Sequence, residues 1–371
     1  MRLAGAKVVN VCVFSKFSGK KNAKSLLFST FAAEMDIIRY PVIPVPEGRY
    51  AATIGFFDGV HRGHCFLLDQ LRQEACVRGM KSMAITFDRH PREVVQAGWQ
   101  PQLLTTLEEK CMLLAQTGID VLVLLDFDKA MAALTARQFM AEVLYSRLGV
   151  ELLLTGYDNR FGHDRRETFD DYVRYGSEMG IEVICAEALR AGTGPTPTCG
   201  LVRGLPLHQE STEDCPCESG RAFSSSLVRQ FLANGDVSAA AECLGRYYSI
   251  SGHVVHGERK GHGLGFPTAN LLPDEPLKLI PARGAYAVEA ILSDGARHHA
   301  MTNIGTRPTF HGEQQTLETH IFNFTQDIYD QSLTLAFIAR LRDEMTFPSP
   351  EALSSQLAKD RLMAEKFSNN I

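Results

Sequence analysis

The 371-residue chain has no run of about eighteen apolar residues, so no membrane-spanning helix is expected. It also lacks an excess of positive charge. A net charge of −5 and a pI near 6.2 give no global attraction to nucleic acid. Its nine cysteines are scattered, and the one close pair, Cys215 and Cys217, has no second pair at zinc-finger spacing. That usage reads as a reducing, cytoplasmic setting with free thiols. No G-x-x-x-x-G-K-[ST] segment occurs, which excludes a P-loop. Acids are nearly missing from residues 1–34, where Glu34 stands alone against Arg2, Lys7, Lys16, Lys20, Lys21 and Lys24. This stretch reads as an extension outside the fold, with Met35 as an alternative start. An organelle transit peptide shares its composition. Its apolar run, Val8 to Phe14, is at the short limit for a signal-peptide core and precedes no clear cleavage site.

The length suits two domains, and the chain changes character near Arg246. Before that point strand-like runs alternate with helical ones. The runs are Ala52–Phe56, Ser82–Phe87, Val121–Leu125, Glu151–Thr155 and Glu182–Ala186. Between them, Cys65–Arg78, Leu107–Thr117, Ala136–Leu148 and Arg165–Met179 carry mostly helical spacing. Apolar strands separated by helices predict a parallel, doubly wound sheet of the Rossmann-like type, with ligands at the carboxyl ends of the strands.

The first strand runs into Gly55-Phe56-Phe57-Asp58-Gly59-Val60-His61-Arg62-Gly63-His64. A strand, a glycine turn and then a helix bring free backbone N–H groups and a positive dipole end to one point, which suits an anion. The His61 and His64 side chains lie within reach of the same anion. The pattern G-x-x-D-G-V-H-x-G-H resembles the signature of nucleotidyltransferases that attack the α-phosphate of a nucleoside triphosphate. An ordinary βα turn with two surface histidines is the plain alternative.

Three further segments fall at strand or helix ends. Thr86 to Pro91 follows the second strand, and Gly156 to Gly162 follows the fourth. Ser224-Ser225-Ser226-Leu227-Val228-Arg229 opens a helix, with Arg229 one turn after Ser225. Serines at a helix start leave N–H groups for a phosphate, and an arginine adds a charge-assisted contact. Residues 193–222 read as a long loop, either a lid or a mobile surface segment. Two short helices, from Ser225 and from Ser238, lead to the next domain.

After Arg246 short strands predominate: Tyr247–His256, Tyr286–Leu292, Arg297–Asn303, Thr316–Asn323 and Ser332–Leu341. They predict a small antiparallel barrel closed by the helix Ser349–Phe367. Gly257 to Asn270 is a glycine-rich segment able to form an anion nest, and it includes Gly263 and Gly265. Thr268 and Asn270, two apart, offer neutral oxygens of the kind Mg²⁺ accepts when phosphates and water complete its shell. In Thr316–Phe322, Glu318 and His320 share one strand face and Leu317, Thr319 and Ile321 the other. An acid on the inner side of a barrel strand costs free energy unless it is paired or working, whereas a solvent-facing Glu on an edge strand would have no role. Near an alcohol, such a carboxylate serves as a general base.

Taken together and in order, these motifs resemble the bacterial bifunctional riboflavin kinase/FAD synthetase family from about Met35 to Phe367. The second half adds G-F-P-T-A-N at Gly265–Asn270, N-I-G-x-R-P-T-F at Asn303–Phe310, E-x-H at Glu318–His320 and L-R-x-E at Leu341–Glu344. The resemblance implies an enzyme with two ATP-dependent activities: riboflavin kinase, giving FMN, and FMN adenylyltransferase, giving FAD and pyrophosphate. It implies domains at 35–192 (adenylyl transfer), 193–245 (loop and linker helices) and 246–371 (kinase). Riboflavin, FMN and ATP are the implied partners, with Mg²⁺ as cofactor and neither nucleic acid nor membrane. In the first half it places ATP at Gly55, Phe57, Asp58, Gly59, Gly63, Ser225, Ser226 and Arg229, with His61 and His64 holding the triphosphate. It places flavin contacts at Asp88, His90, Pro91, Asp158, Arg160 and Phe161. In the second half it assigns nucleotide contacts to Gly263, Gly265, Thr268 and Asn270, metal to Thr268 and Asn270, flavin to Arg307 and the general base to Glu318. Arg89 and Asn159 depart from the family's usual proline and phenylalanine. These departures leave a second reading: a kinase whose first half is inactive or of different specificity.

Overall fold

The computed structural model describes residues 35–156, 160–163, 166–189, 222–256, 266–309 and 312–368. The expectations for residues 1–34, for Asp158 and Asn159, for Gly263 and Gly265 and for the 193–221 loop lie outside them. The described residues divide into two compact units. One holds 35–57, Cys65–Trp99 and Leu107–Ala188; the other holds Asp58–His64, Gln100–Thr106 and the residues from Leu189 onward.

The first unit is built on a six-stranded parallel sheet of order β1-β4-β3-β2-β5-β6. Its strands are β1 (Asp36–Tyr40), β2 (Tyr50–Ile54), β3 (Lys81–Phe87), β4 (Val121–Leu125), β5 (Val150–Thr155) and β6 (Glu182–Cys185). β2 and β4 are buried at every position, as strands covered on both faces must be. The chain winds one way through β3 and β4 and then returns to add β5 on the other side of β2. The switch point therefore lies between the carboxyl ends of β2 and β5, where such sheets bind ligands. β1 was not expected from the sequence. It is a short strand at the sheet edge, and only two of its five residues are buried.

The helices of this region are α1 (Arg62–Val77), α2 (Pro91–Val95), α3 (Leu107–Ala115), α4 (Lys129–Ala132), α5 (Ala136–Gln138) and α6 (Phe169–Met179). α5 continues as a π-helix over Phe139–Tyr145, and beyond it Leu148 N donates to the carbonyl five residues back, Val143 O, at 3.0 Å. α6 begins four residues later than expected because Thr168 caps it. The Thr168 N–H donates to the Asp171 carboxylate at 2.9 Å.

In the second unit, α7 (Ser225–Ala233) and α8 (Val237–Leu244) precede a closed antiparallel barrel of order β10-β11-β8-β7-β12-β9. Its strands are β7 (Tyr248–Val255), β8 (Ala269–Pro273), β9 (Gly284–Leu292), β10 (Arg297–Thr309), β11 (Gly312–Ile321) and β12 (Ser332–Arg342). β8, too, was not expected. Its five residues end on a proline and have no clean alternation. α9 (Pro350–Ser368) covers part of the barrel's outer face, where Leu357 and Ala364 pack with Ala287, Met301 and Ile338.

A buried ion pair fixes α9 in place. Arg342 of β12 meets Asp360 at 2.9 Å, and Gln356 Nε2 donates to the other carboxylate oxygen at 2.8 Å. Asp360 is 3% exposed. Asp360→Ala leaves Arg342 with an uncompensated, largely buried charge, so the expected loss is about 3 kcal/mol. Urea unfolding measures it. An unchanged midpoint would show that the pair contributes nothing.

Candidate active sites

The turn after β2 is shaped by its own backbone. Phe57 and Val60 adopt positive φ, at 51° and 39°, and both are buried. Gly59 has φ 79°, and a Cβ there would lie 2.9 Å from Leu104 Cδ1. Only glycine fits that position. At Gly63 a Cβ would come within 3.1 Å of both the His61 ring and the Phe223 carbonyl, so its bareness lets those two groups close in.

α1 starts three residues earlier than expected, at Arg62, because His61 caps it. The His64 N–H donates to His61 Nδ1 at 3.3 Å. The bond fixes the tautomer: Nδ1 is the acceptor, so the proton of the neutral ring sits on Nε2. The two imidazoles stack with centroids 3.7 Å apart. Burial, reinforced by His64, Arg246 and Arg229, holds the His61 pKa well below 6.5. His61 is thus a neutral donor among cations.

That lowered pKa has a measurable consequence. The unfolded chain takes a proton at residue 61 that the folded chain refuses. The stability associated with the neutral ring is complete above pH 6.5 and is lost as pH falls toward the depressed folded value. His61→Gln should therefore lose less thermal stability than the parent between about pH 7 and about pH 5. Equal losses would contradict the assignment.

Asp58 and Arg229, expected to bind phosphate, face each other instead. The Asp58 carboxylate is 3% exposed. It accepts from Leu104 N and Thr105 N, both at 3.0 Å, from Thr105 Oγ1 at 3.2 Å and from Arg229. Arg229 Nε donates to the Gln102 carbonyl at 2.9 Å, and Ser225 Oγ to the Asp58 carbonyl at 2.8 Å. A buried anion so saturated does not greet a phosphate; it builds the turn. Ser224, not Ser225 or Ser226, is the N-cap of α7, and Ser226 is exposed. What this helix start offers an anion is its N–H groups and dipole rather than the Arg229 charge. Arg246, missed in the sequence, donates to the carbonyls of Gly59 and Val60 at 2.6 and 3.2 Å.

The flavin candidates of the first unit form two groups. His90 caps α2 by accepting from Arg92 N at 3.1 Å, with Pro91 as the first helical residue. Its ring lies 4.5 Å from Phe56 and 4.7 Å from Trp99. Asp88 pairs with Arg39 at 3.4 Å and accepts from the Arg89 N–H at 2.8 Å, a bond that the family's usual proline could not make. Lys110 of α3, also missed, is 3% exposed. Its ammonium donates to Phe56 O, Phe87 O and Thr86 Oγ1 at 3.1, 3.0 and 3.3 Å, tying the ends of β2 and β3. In the second group, Phe161 stacks on Tyr172 at 4.4 Å, and its N–H donates to the Tyr172 hydroxyl at 3.1 Å. Arg160 is exposed.

In the barrel, the register sets Asn270 of β8 opposite Glu318 of β11, and Glu318 opposite Asn303 of β10. Directly opposed residues share a face, so the three form one polar row. The row lies on the outer face. Leu317 and Thr319 are the buried, inward residues, and Thr319 Oγ1 donates to Thr302 Oγ1 at 2.9 Å. The expectation of an inward acid is corrected, and so is its alternative: β11 has a partner on each side, and Glu318 is half-buried. Thr268 immediately precedes β8, at the same end as the row. A Cβ at Gly305 would lie 3.0 Å from Glu344 Oε1 and 3.3 Å from Asn303 Nδ2, which brings the Glu of L-R-x-E to this face. The Arg307 side chain lies outside the described residues.

Among the described residues no three His, Cys, Asp or Glu side chains gather as a metal cluster. The neutral oxygens of Thr268 and Asn270 beside one carboxylate fit Mg²⁺, which takes few protein ligands and fills its shell with phosphate and water. They do not fit zinc.

Both halves of the chain match known protein families. Residues 45–196 match the FAD synthetase family and residues 244–368 the riboflavin kinase family. The chain is 35% identical over 324 residues to the bifunctional riboflavin kinase/FMN adenylyltransferase of Escherichia coli K12, covering 87% of this chain and 94% of that protein. The Bacillus subtilis protein of the same name is 30% identical over 89% of this chain and 96% of its own length. A crystal structure from Streptococcus pneumoniae, described as a macrolide-efflux protein, superposes with a TM-score of 0.73 at 27% identity, over 89% of this chain and 98% of that one. Among the described residues of the present chain, no helix is long and apolar enough to cross a membrane. The chain belongs to the bifunctional riboflavin kinase/FMN adenylyltransferase family.

Proposed function

We propose that the chain makes FMN at the outer face of its barrel and FAD at the turn after β2, and that Glu318 and His61 are the central side chains. It is a riboflavin kinase and an FMN adenylyltransferase, with ATP as co-substrate of both reactions. The observation that carries the residue assignment is the register that sets Glu318 directly against Asn270.

In the kinase reaction the Glu318 carboxylate takes the proton of the riboflavin 5′-hydroxyl as that oxygen attacks the γ-phosphorus, and ADP departs. Thr268 and Asn270 would hold Mg²⁺, which would supply positive charge to offset that of the phosphate oxygens. In the adenylyl transfer an FMN phosphate oxygen attacks the α-phosphorus and pyrophosphate departs. The His61 Nε2–H, His64 and the N–H groups at the starts of α1 and α7 stabilise the phosphate oxygens, with no covalent enzyme intermediate. Asp58, Ser225, Arg229 and Arg246 hold the turn in shape. Asp88, His90, Pro91, Asp158, Arg160 and Phe161 receive FMN, and Arg307 receives riboflavin.

The functional division follows residues 35–192 and 246–371, joined by 193–245. The protein works in the cytoplasm on small molecules, without nucleic acid or membrane. A single time course with riboflavin, ATP and Mg²⁺, following both flavins by chromatography, should show FMN rising first and FAD following. FMN accumulating without FAD would favour an inactive first half.

A further inference from the structure

The ladder between β8 and β11 spans Ala269 to Leu271, opposite Thr319 to Leu317, and stops there. The segment just before it, Phe266 to Thr268, is therefore not held by strand pairing. A side chain holds it. His320, the residue after the last ladder pair on β11, places Nδ1 2.8 Å from the Pro267 carbonyl. A carbonyl only accepts, so Nδ1 carries the proton and Nε2 is a bare lone pair. The ring is 6% exposed and lies edge-on to Phe266, with centroids 5.2 Å apart. Nε2 is buried and has no hydrogen-bond partner in the structure. Burial lowers the pKa of His320, which keeps the ring neutral and its single proton on the side of Pro267.

We propose that His320 is a positioning residue of the kinase site: its Nδ1–H bond to the Pro267 carbonyl continues the β8–β11 pairing through a side chain and so aims Thr268 beside Asn270 and Glu318. The proposal rests on the assignment of Thr268 and Asn270 to the nucleotide and its metal. A core histidine that merely fills space would need its ring and not its proton. The two roles therefore respond to different substitutions.

His320→Asn keeps a donor at the Nδ1 position and loses the ring. His320→Phe keeps the ring and loses the donor. His320→Gln carries its amide at the Nε2 position instead. The Phe and Gln variants should raise KM for MgATP in riboflavin phosphorylation about tenfold or more, with a smaller change in kcat, and the Asn variant should restore most of the loss. Calorimetric binding of MgADP, without turnover, should weaken in the same order. FAD formation from supplied FMN should be unchanged in every variant, and a parental far-ultraviolet circular dichroism melt verifies that the barrel folds. If the Phe variant does not fold, the Asn and Gln pair still decides. Phe or Gln variants with parental KM and MgADP affinity overturn the proposal while Thr268→Ala remains impaired. A Thr268→Ala variant with parental MgADP affinity overturns the underlying assignment, and the proposal with it.

Discussion

Glu318→Gln is expected to lower the rate of FMN formation by about two to four orders of magnitude while FAD formation from supplied FMN continues at the parental rate. The substitution preserves shape, so the strand and its cross-strand neighbours Asn270 and Asn303 keep their places. What it removes is basicity. An amide oxygen cannot take the hydroxyl proton as the new bond to phosphorus forms. Because Glu318 is half-buried on the outer face, the change leaves no cavity in the barrel interior, which is filled by Leu317, Thr319, Thr302 and Ile304. Folding is therefore not expected to suffer. Loss of both activities would count against independent sites. Retention of FMN formation would remove Glu318 from the role of base.

The converse experiment is His61→Ala with His64→Ala. FAD formation should fall by about two to three orders of magnitude and riboflavin phosphorylation should be spared. The double change is informative because the rings are stacked, and replacing one alone would let the other move into its place. It removes the Nε2 donor and also the acceptor that caps α1, at a cost of about 1 kcal/mol in stability. That cost is too small to unfold a domain, so a selective loss of adenylyl transfer would be chemical in origin. A double variant that still makes FAD at the parental rate would leave the helix dipoles and backbone as the sole phosphate site.

The strands and helices were largely legible because burial imposes a period. β2 to β6 are short apolar runs, and the helices between them repeat at three and four residues. β1 and β8 escaped because each is five residues long and its place comes from a neighbour rather than from its own pattern. The start of α1 escaped because its cap, His61, is not a usual capping residue. In the sites, motifs located the residues but not their directions. Asp58 and Arg229 are 171 residues apart, and nothing local says that the acid is consumed by the arginine. Lys110 looks like any helix lysine, and only the sheet above it makes it a clamp. The side of the barrel on which Glu318 lies was undetermined, since alternation separates two faces without naming the inner one.

The chain's one tryptophan, Trp99, sits against His90 in the first unit. Indole emission excited beyond the reach of the ten tyrosines therefore originates there alone. Circular dichroism in the far ultraviolet sees the sheet and the barrel together. Recording both signals along one denaturation ramp resolves the melting of the adenylyl-transfer half from that of the whole, with no label and no truncation.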